Sequence, residues 1–299
     1  WLVFLFIYLK NKSMITVNSL SGGQTSSYIA ANYPADFNVF ALVRTSDPEC
    51  IFPDEKIRQM VSDKIGTEFI GTLEDDMIIY TIFDLEQYIG KKIDWVTGKT
   101  FDEIVQTGKN GGTYLPNIFQ RFCTSEMKIV PIYNWWKNNF NEPVEMRIGY
   151  RADENRRAWK SQMKANENGM RTFKDIVGHS KNGRNKWAEI EWQKHTFPLI
   201  TDRIFKDNII EFWKDKPVRF AYMNNCIGCF HRNEVLLNLM SKMYPEKFDW
   251  FCKQEYKSYF DKKQTFKKGT TYDKIRKYNF GVTLAFDFFT ECDSGYCGL

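Results

Sequence analysis

The sequence contains few histidines and lacks the apolar segment that a membrane protein would need. Only three histidines occur among 299 residues, without paired spacing, so we interpret His179 and His195 as surface or packing residues. The apolar run Trp1–Leu9 is far shorter than the ~20 residues of a spanning helix. It also lacks the basic leading region and the small-residue cleavage site of a secretory signal. We therefore predict a cytoplasmic protein without a membrane partner; an interfacial anchor at this run is the alternative.

Several common catalytic motifs are also missing. There is no G-x-G-x-x-G for a dinucleotide site and no G-x-S-x-G for a hydrolase nucleophile. The one Gly-Lys-Thr, at Gly98–Thr100, has Ile93 where a Walker loop needs its first glycine. These absences exclude a Walker-type NTPase. We find no internal repeat and no low-complexity tract.

The composition favours a folded protein with an anionic ligand or partner. Apolar residues make up 43% of the chain, including 25 Phe, 15 Tyr and 9 Trp, which is enough for a large core and excludes a disordered chain. Positive charge is concentrated in two segments. Residues 151–187 hold ten Lys or Arg against four Asp or Glu, and residues 253–278 hold nine against three. Each segment suggests contact with an anion, or else a solvated face.

Strand-like and helix-compatible runs alternate from residue 14 onward. In chain order these runs are residues 14–20, 25–32, 37–44 and 53–65. The alternation predicts an α/β fold with a parallel, Rossmann-like sheet and flanking crossover helices. Further along, we predict an irregular excursion at 84–120, a helix at 126–140, a strand at 144–150, a mobile loop at Lys160–Lys186, and helices at 205–214 and 233–243.

These elements suggest a division of the chain into three parts. Residues 1–13 are expected to be a leader outside the core, because Met14 lies directly before the first strand-like run. Residues 14–220 form the α/β domain. Residues 221–299 form a mostly helical, cysteine-containing extension.

The segment Ser21–Ser26, here called the phosphate loop, joins the first strand to the first helix. Its glycines allow a tight turn, and the helix start presents unpaired N–H groups and the positive end of its dipole. Such a loop suits a nucleotide phosphate, although it also fits an ordinary strand-to-helix turn. The candidate nucleotide-binding residues here are Ser19, Ser21, Gly22, Gly23, Gln24, Thr25 and Ser26.

Together with three further segments, the phosphate loop resembles the phosphoadenosine-phosphosulfate (PAPS) reductase family within the PP-loop, adenine nucleotide α-hydrolase-like superfamily. The loop is similar to S-G-G-x-D-S, and Arg121–Lys128 with Pro131 is similar to R-x-C-T-x-x-x-K-x-x-P. Gly149–Arg157 is similar to G-x-R-x-x-E-S-x-R, with Asn155 in place of Ser. Phe197-Pro198-Leu199 and Cys226–Arg232 follow in the family's order, so the likeness spans roughly residues 14–240.

The resemblance implies that residues 14–220 bind an adenine nucleotide, which could be PAPS, adenylyl sulfate or ATP. It adds five candidate binding residues, namely Lys128, Gly149, Arg151, Arg156 and Arg157. Arg and Lys suit such sites because they make charge-assisted bonds to phosphate and sulfate. The implied enzyme is an oxidoreductase or sulfur transferase, with a thioredoxin-like protein as electron donor.

The chain departs from the superfamily's loop at Thr25, which stands where the ATP-splitting enzymes carry an acid. Threonine holds a divalent cation less well than a carboxylate. This departure favours the reductase-like branch.

Seven cysteines, an odd number, suggest metal, cluster or redox chemistry in a reducing compartment. Cys226-x-x-Cys229 is a short chelate, and Cys123 and Cys297 could complete a zinc site or an iron–sulfur cluster such as [4Fe–4S], with His231 as a possible zinc substitute. A redox dithiol and simple burial are the alternatives for the chelate pair. Cys50 and Cys252 lie in apolar surroundings and are expected in the core.

Glu291-Cys292 resembles the family's terminal Glu-Cys element, which makes Cys292 the candidate nucleophile. In that role its thiolate would attack the sulfur of a bound adenylyl sulfate, helped by nearby cations that lower its pKa. Cys292 could instead be a metal ligand, and one cysteine cannot easily do both.

Two other functions remain open from the sequence. One is a component of DNA or RNA thiolation or phosphorothioation that uses ATP and an iron–sulfur cluster; the other is a nucleotide-binding module without catalysis. The basic segment Lys262–Lys277, interleaved with Phe266, Tyr272 and Tyr278, could contact nucleic acid and stack on bases. It could also be a solvated arm or a flap over the nucleotide.

Overall fold

The computed structural model describes residues 13–106, 114–256 and 264–279, so most of the predicted leader lies outside the described residues. Six strands form one sheet. They are β1 (Thr16–Leu20), β2 (Phe37–Leu42), β3 (Asp94–Thr97), β4 (Val144–Arg147), β5 (Arg171–His179) and β6 (Asn185–Thr196). Their order is β3-β2-β1-β4-β6-β5, and every neighbouring pair is parallel except β5 and β6.

Helices connect and flank the strands. They are α1 (Gln24–Asn32), α2 (Glu55–Ile65), α3 (Met77–Ile89), α4 (Phe101–Gln106), α5 (Val130–Asn139), α6 (Asn155–Gln162), α7 (Pro198–Thr201), α8 (Lys206–Trp213), α9 (Glu234–Met243), α10 (Pro245–Tyr256) and α11 (Tyr272–Lys277). A π-helical turn at Ser125–Ile129 leads into α5. The predicted α/β fold with flanking helices is confirmed, and the arrangement agrees with a Rossmann-like sheet.

Apolar side chains cover both faces of the sheet, as parallel strands require. On one face, Phe40 and Trp95 pack with side chains of α1, α3 and α8. On the other, Val17 and Met146 pack against α5 and α6. A third apolar cluster joins α4 to α9, α10 and α11, and it contains residues from both sides of the predicted boundary at 220.

The predicted mobile loop at Lys160–Lys186 is wrong, because most of it is an ordered hairpin. Strand β5 pairs antiparallel with β6 across a turn that contains Asn182-Gly183. Phe173 stacks on Tyr133 of α5 at 4.0 Å between ring centroids. Asp175 accepts hydrogen bonds from the Tyr133 hydroxyl at 2.8 Å and the Lys137 amine at 2.6 Å. These contacts hold the hairpin against the sheet's flanking helix.

The predicted irregular excursion at residues 84–120 is also partly wrong. It contains the end of α3, the edge strand β3 and helix α4. Strand β3 is only four residues long and pairs with β2 alone. A strand this short carries little period-two pattern, which explains why the sequence does not reveal it.

The interpretation of the basic tail as a base-stacking surface is wrong for two of its three aromatic residues. Phe266 and Tyr272 are fully buried in the third apolar cluster. Arg276 bonds to Asp249 at 2.7 Å, and Lys277 to Asp273 at 2.7 Å, so these charges have acidic partners. Lys262 and Lys263 lie outside the described residues.

The histidine predictions agree with the structure. His179 is exposed at the end of β5. His195 is partly buried on β6 and its Nδ1 lies 2.7 Å from the Ser161 hydroxyl of α6, so it packs helix against sheet. Burial, with the nearby charges of Arg171 and Lys164, lowers the pKa of His195 to about 3. Among the described residues, no helix combines the length and apolar character needed to span a membrane.

Candidate functional site

A cleft of about 960 Å³ opens at the carboxyl ends of β1 and β4. These neighbouring strands form a topological switch point. The strands that follow β1 lie on one side of it, as β2 and β3, and the strands that follow β4 lie on the other side, as β6 and β5. Ligands of open α/β sheets bind at such points. The phosphate loop follows β1, and Ile148–Arg151 follow β4, so both motifs meet in one cleft.

The phosphate loop is held in shape by Ser26. Its hydroxyl accepts a hydrogen bond from the Ser21 N–H at 3.1 Å and donates one to the Gly23 carbonyl at 3.1 Å. Gly22 has φ +75° and lies so close to α3 that a Cβ there would be 2.5 Å from Ile78 Cγ2. Only glycine satisfies both constraints. The loop therefore has one fixed shape, to which both glycine and serine contribute.

The start of α1 faces the cleft. Its N-cap is Gly23, and no side chain caps the helix. The indole N–H of Trp213 donates to the Gln24 carbonyl at 3.0 Å, which ties the first turn to α8. An uncapped helix start with its positive dipole end attracts an anion.

Positive side chains line the cleft on the other sides. The cationic lining residues are Lys128, Arg151, Arg157 and Lys206. None of the described residues that line the cleft is Asp or Glu. This one-signed lining favours an anionic ligand over a cation or a neutral one.

Carboxylates behind the lining orient these cations. Glu154 accepts from the backbone N–H of Arg151 at 3.0 Å and binds the guanidinium of Arg157. Arg151 also bonds to Asp153 at 3.2 Å. These carboxylates therefore fix the position of both arginines at the cleft.

Lys128 has a similar support. It lies in the π-helical turn before α5, and its amine bonds to Glu74 at 3.0 Å. Glu74 is fully buried, so the pair is largely shielded from water. A shielded ion pair holds Lys128 in one orientation at the cleft wall.

Part of the cleft lining is apolar. The aliphatic lining residues are Leu20, Ala41, Ile132, Ile148 and Ile209. Tyr150 stacks on Phe197 at 5.5 Å between centroids, and the guanidinium of Arg157 lies 4.4 Å from the Tyr150 ring. Burial raises the pKa of the Tyr150 hydroxyl. A cleft that offers both polar donors and aliphatic side chains suits a ligand with a flat organic group and a phosphate.

Sequence reasoning missed three polar lining residues, Lys206, Asn224 and Asn225. Asn224 lies over the loop, since a Cβ on Gly23 would be 2.6 Å from its Nδ2. Asn225 has φ +73°, a left-handed conformation that Asn tolerates better than most residues. The signal in the sequence that could have pointed to Asn224 and Asn225 is their position as an Asn-Asn pair directly before the C-x-x-C motif.

A buried arginine fixes this asparagine segment. Arg232 is 1% exposed, and its guanidinium donates to the Asn224 carbonyl at 2.6 Å. It also donates to the Cys226 carbonyl at 3.4 Å and lies 3.0 Å from Met223 Sδ. One side chain thus positions the backbone on both sides of residue 225.

The structure gathers all but one of the predicted nucleotide-binding residues around the cleft. Gly22 shapes the loop without lining the cleft, and Ser19 lines it beside Ser21. Arg156 is the exception: it is exposed on α6, faces away from the cleft and does not line it. Helical spacing explains the difference from its neighbour, because adjacent residues on a helix point about 100° apart.

Three predicted cysteine ligands line a second, smaller pocket of about 350 Å³, here called the cysteine pocket. Cys123, Cys226 and Cys229 line it together with His231 and Arg121. Burial, with the nearby charges of Arg121 and Lys267, lowers the pKa of His231 to about 4, so its imidazole is neutral at pH 7.

The donor types in the cysteine pocket fit zinc or an iron–sulfur cluster. However, no three His, Cys, Asp or Glu side chains in the described ranges converge as a metal-binding group. Cys297 and the candidate nucleophile Cys292 lie outside the described residues.

The remaining two cysteines belong to the core, as predicted. Cys50 and Cys252 are both buried. Burial raises the pKa of each thiol to about 12, which makes both unreactive at neutral pH.

Compared with protein-family models and with curated proteins, the chain matches none of them.

Proposed function

We propose that the cleft binds an adenine nucleotide and that the protein is a sulfur-transforming enzyme of the PAPS reductase type. The observation that carries this proposal is the positively charged cleft at the start of α1, whose described lining residues include four cations and no carboxylate. The aliphatic lining suits an adenine ring, and the loop with the start of the helix suits a phosphate. The sequence resemblance supplies the reaction class.

The reaction that we propose is reduction of an adenylyl sulfate. The thiolate of Cys292 attacks the sulfur atom, a sulfur–sulfur bond forms, and the sulfur–oxygen bond to the phosphate breaks. The nucleoside phosphate leaves with the bonding electron pair, and a thiosulfonate remains on the cysteine. A dithiol protein of the thioredoxin class then releases sulfite, and its two thiols become a disulfide. Lys128, Arg151 and Arg157 stabilise the charge on the leaving phosphate.

The cleft lining favours this reaction over splitting of ATP. Thr25 lines the cleft where the resembling pyrophosphatase loops carry an acid, and no other described lining residue is a carboxylate. Magnesium prefers carboxylate oxygens, so the site has little to offer a magnesium–pyrophosphate product.

The proposal includes a bound metal ion or iron–sulfur cluster, but no step of the proposed reaction takes place on it. Cys123, Cys226 and Cys229 line one pocket and, with Cys297, are the residues that would hold it. Analysis of an anaerobic preparation for zinc, iron and acid-labile sulfide tests this assignment.

Calorimetry with AMP, ATP, adenylyl sulfate and PAPS tests the nucleotide assignment. We expect micromolar binding of at least one of them by the wild-type protein and a loss of about tenfold in the Arg157→Gln variant. Lys56→Gln, a change of an exposed lysine on α2, is the matched control and should bind normally. A folded protein that binds none of the four nucleotides contradicts the assignment.

Incubation with adenylyl sulfate or PAPS and a thioredoxin-type donor tests the reaction. Sulfite release that Cys292→Ser abolishes is the expected result. Nucleotide binding without sulfite release by the wild type would leave a binding module and remove the enzyme assignment.

A further inference from the structure

Helix α6 presents two adjacent exposed stripes of different chemistry. Arg156, Lys160 and Lys164 follow one another at four-residue spacing, with Lys164 in the turn just after the helix. Beside them, Trp159 is 58% exposed and Met163 is 66% exposed. The exposed indole offers a flat ring to a partner directly beside the basic stripe. Basic and aromatic side chains next to each other are typical of surfaces that bind nucleic acid.

Nearby carboxylates do not neutralise this basic stripe. Residues 151–187 contain four acids. Asp153 and Glu154 bond to the arginines of the cleft, and Asp175 bonds to Lys137 of α5. Glu167 makes no ion pair with any described residue. None of these four acids forms a described ion pair with Arg156, Lys160 or Lys164.

Two arginines extend the positive surface beyond the helix. The Nε atoms of Arg121 and Arg171 are buried and, within the described part of the chain, have no hydrogen-bond acceptor. Partial desolvation and the charges of Arg171, Arg121 and Lys160 lower the pKa of Lys164. Like charges that interact in this way are stabilised when an anion binds among them.

This surface lies beside both pockets. Arg157, on the same helix, lines the nucleotide cleft, and Arg121 lines the cysteine pocket. A chain-like anion bound along α6 would pass close to both openings.

We propose that Arg121, Arg156, Trp159, Lys160, Lys164 and Arg171, here called the α6 surface, bind single-stranded nucleic acid. The stripe from Arg156 to Lys164 extends about 12 Å, which is too far for one phosphate group to contact both ends. A strand offers several phosphates to the cations and bases that stack on Trp159. An acidic peptide satisfies the charges but has no flat base for the indole. The inference goes beyond the proposed function, because it assigns a partner to residues outside the nucleotide cleft.

Fluorescence anisotropy with labelled oligo-dT and oligo-rU of about 20 nucleotides tests the proposal. The wild type should bind at least one of them, with affinity that falls steeply between about 50 and 200 mM salt. The double variant Lys160→Glu/Lys164→Glu should bind at least tenfold more weakly and lower the salt slope by about 1.4, since two phosphate contacts are lost. Lys56→Glu/Lys214→Glu is the matched control, on helices of the opposite sheet face, and should bind like the wild type.

Trp159 separates base stacking from simple charge attraction. Trp159→Ala should weaken oligonucleotide binding about five- to one-hundred-fold, and Trp159→Phe should restore most of it. Two results overturn the proposal. In the first, the folded wild type binds no oligonucleotide at low salt. In the second, polyglutamate binds with the same affinity as the oligonucleotides, and Trp159→Ala does not change that affinity.

The same preparations separate this proposal from the nucleotide assignment. Mononucleotide affinity should be unchanged in the Lys160→Glu/Lys164→Glu variant, because neither residue lines the cleft. If only mononucleotide binding fails, the proposed function is removed and the nucleic-acid assignment of the α6 surface stands. If only oligonucleotide binding fails, the assignment of the α6 surface is removed and the proposed function stands.

Discussion

Ser26 is the side chain on which the shape of the phosphate loop depends. Changing Ser26 to Ala leaves the partly buried Ser21 N–H without its acceptor and removes a bond that contributes about 1 kcal/mol. We expect the variant to bind its nucleotide about tenfold more weakly, while its fold is retained. Calorimetry of wild type and variant measures the difference.

Ser27 provides the control for this change. It is the next residue of the same helix and is fully buried, but its hydroxyl has no hydrogen-bond partner among the described residues. Ser27→Ala should therefore change nucleotide affinity less than about twofold and leave stability equal or higher. Equal losses in both variants would mean that Ser26 has no special role in the loop.

At the scale of residues, the sequence reveals what is local. The phosphate loop and its start of helix are contiguous, so strand, glycine and serine signals point to one place. Lys206 and Asn224 are far from the loop in sequence and reach the cleft only because α8 and the segment before C-x-x-C pack against it. No periodicity or propensity in a single sequence encodes that convergence.

Among the elements, α10 carries a titratable connection to the chain that follows it. Glu255 is buried and accepts hydrogen bonds from the N–H groups of Phe266 at 3.0 Å and Tyr272 at 2.6 Å. Burial raises its pKa from 4.5 to about 7. The folded protein therefore binds this proton more tightly than the unfolded chain does. The stabilisation is complete below about pH 4.5 and is lost as the pH rises through 7.

We expect this group to reduce the free energy of unfolding by about 3 kcal/mol between pH 5 and pH 8. Urea unfolding of the wild type and the Glu255→Gln variant measures it, since the amide cannot ionise and should flatten the profile. A variant profile as steep as that of the wild type would assign the pH dependence to other groups.

Element prediction succeeded where segments were long or amphipathic and failed at the sheet's edges. Strands β1 and β2 and helix α2 were recognised from their patterns. The β5–β6 hairpin was not, because its Gly and Asn residues, including those of its Asn-Gly turn, are also typical of a flexible loop. Its order comes from tertiary contacts with Tyr133 and Lys137.

For the whole molecule, the third apolar cluster makes the two predicted parts interdependent. Val43, Leu73 and Phe101 of the first part pack with side chains of α9, α10 and α11. A chain ending at residue 220 would expose this surface and lose Asn224 from the cleft. We expect the 14–220 fragment to aggregate and to lack a cooperative thermal transition, as measured by size-exclusion chromatography and calorimetry.

Co-expression with residues 221–299 is the control for that experiment. The added fragment should recover soluble material, because it returns the missing half of the cluster. A monomeric 14–220 fragment with a sharp transition would instead show an independent domain.

The buried guanidinium of Arg232 has a thermodynamic consequence. It joins the carbonyl of Asn224, at the cleft, to that of Cys226, at the cysteine pocket. A nucleotide that tightens this segment should slow alkylation of Cys226 by iodoacetamide, and modification of Cys226 should in turn weaken nucleotide binding, because both act on the backbone that Arg232 fixes. Nucleotide occupancy of the cleft and the accessibility of Cys226 would then be coupled through one buried side chain.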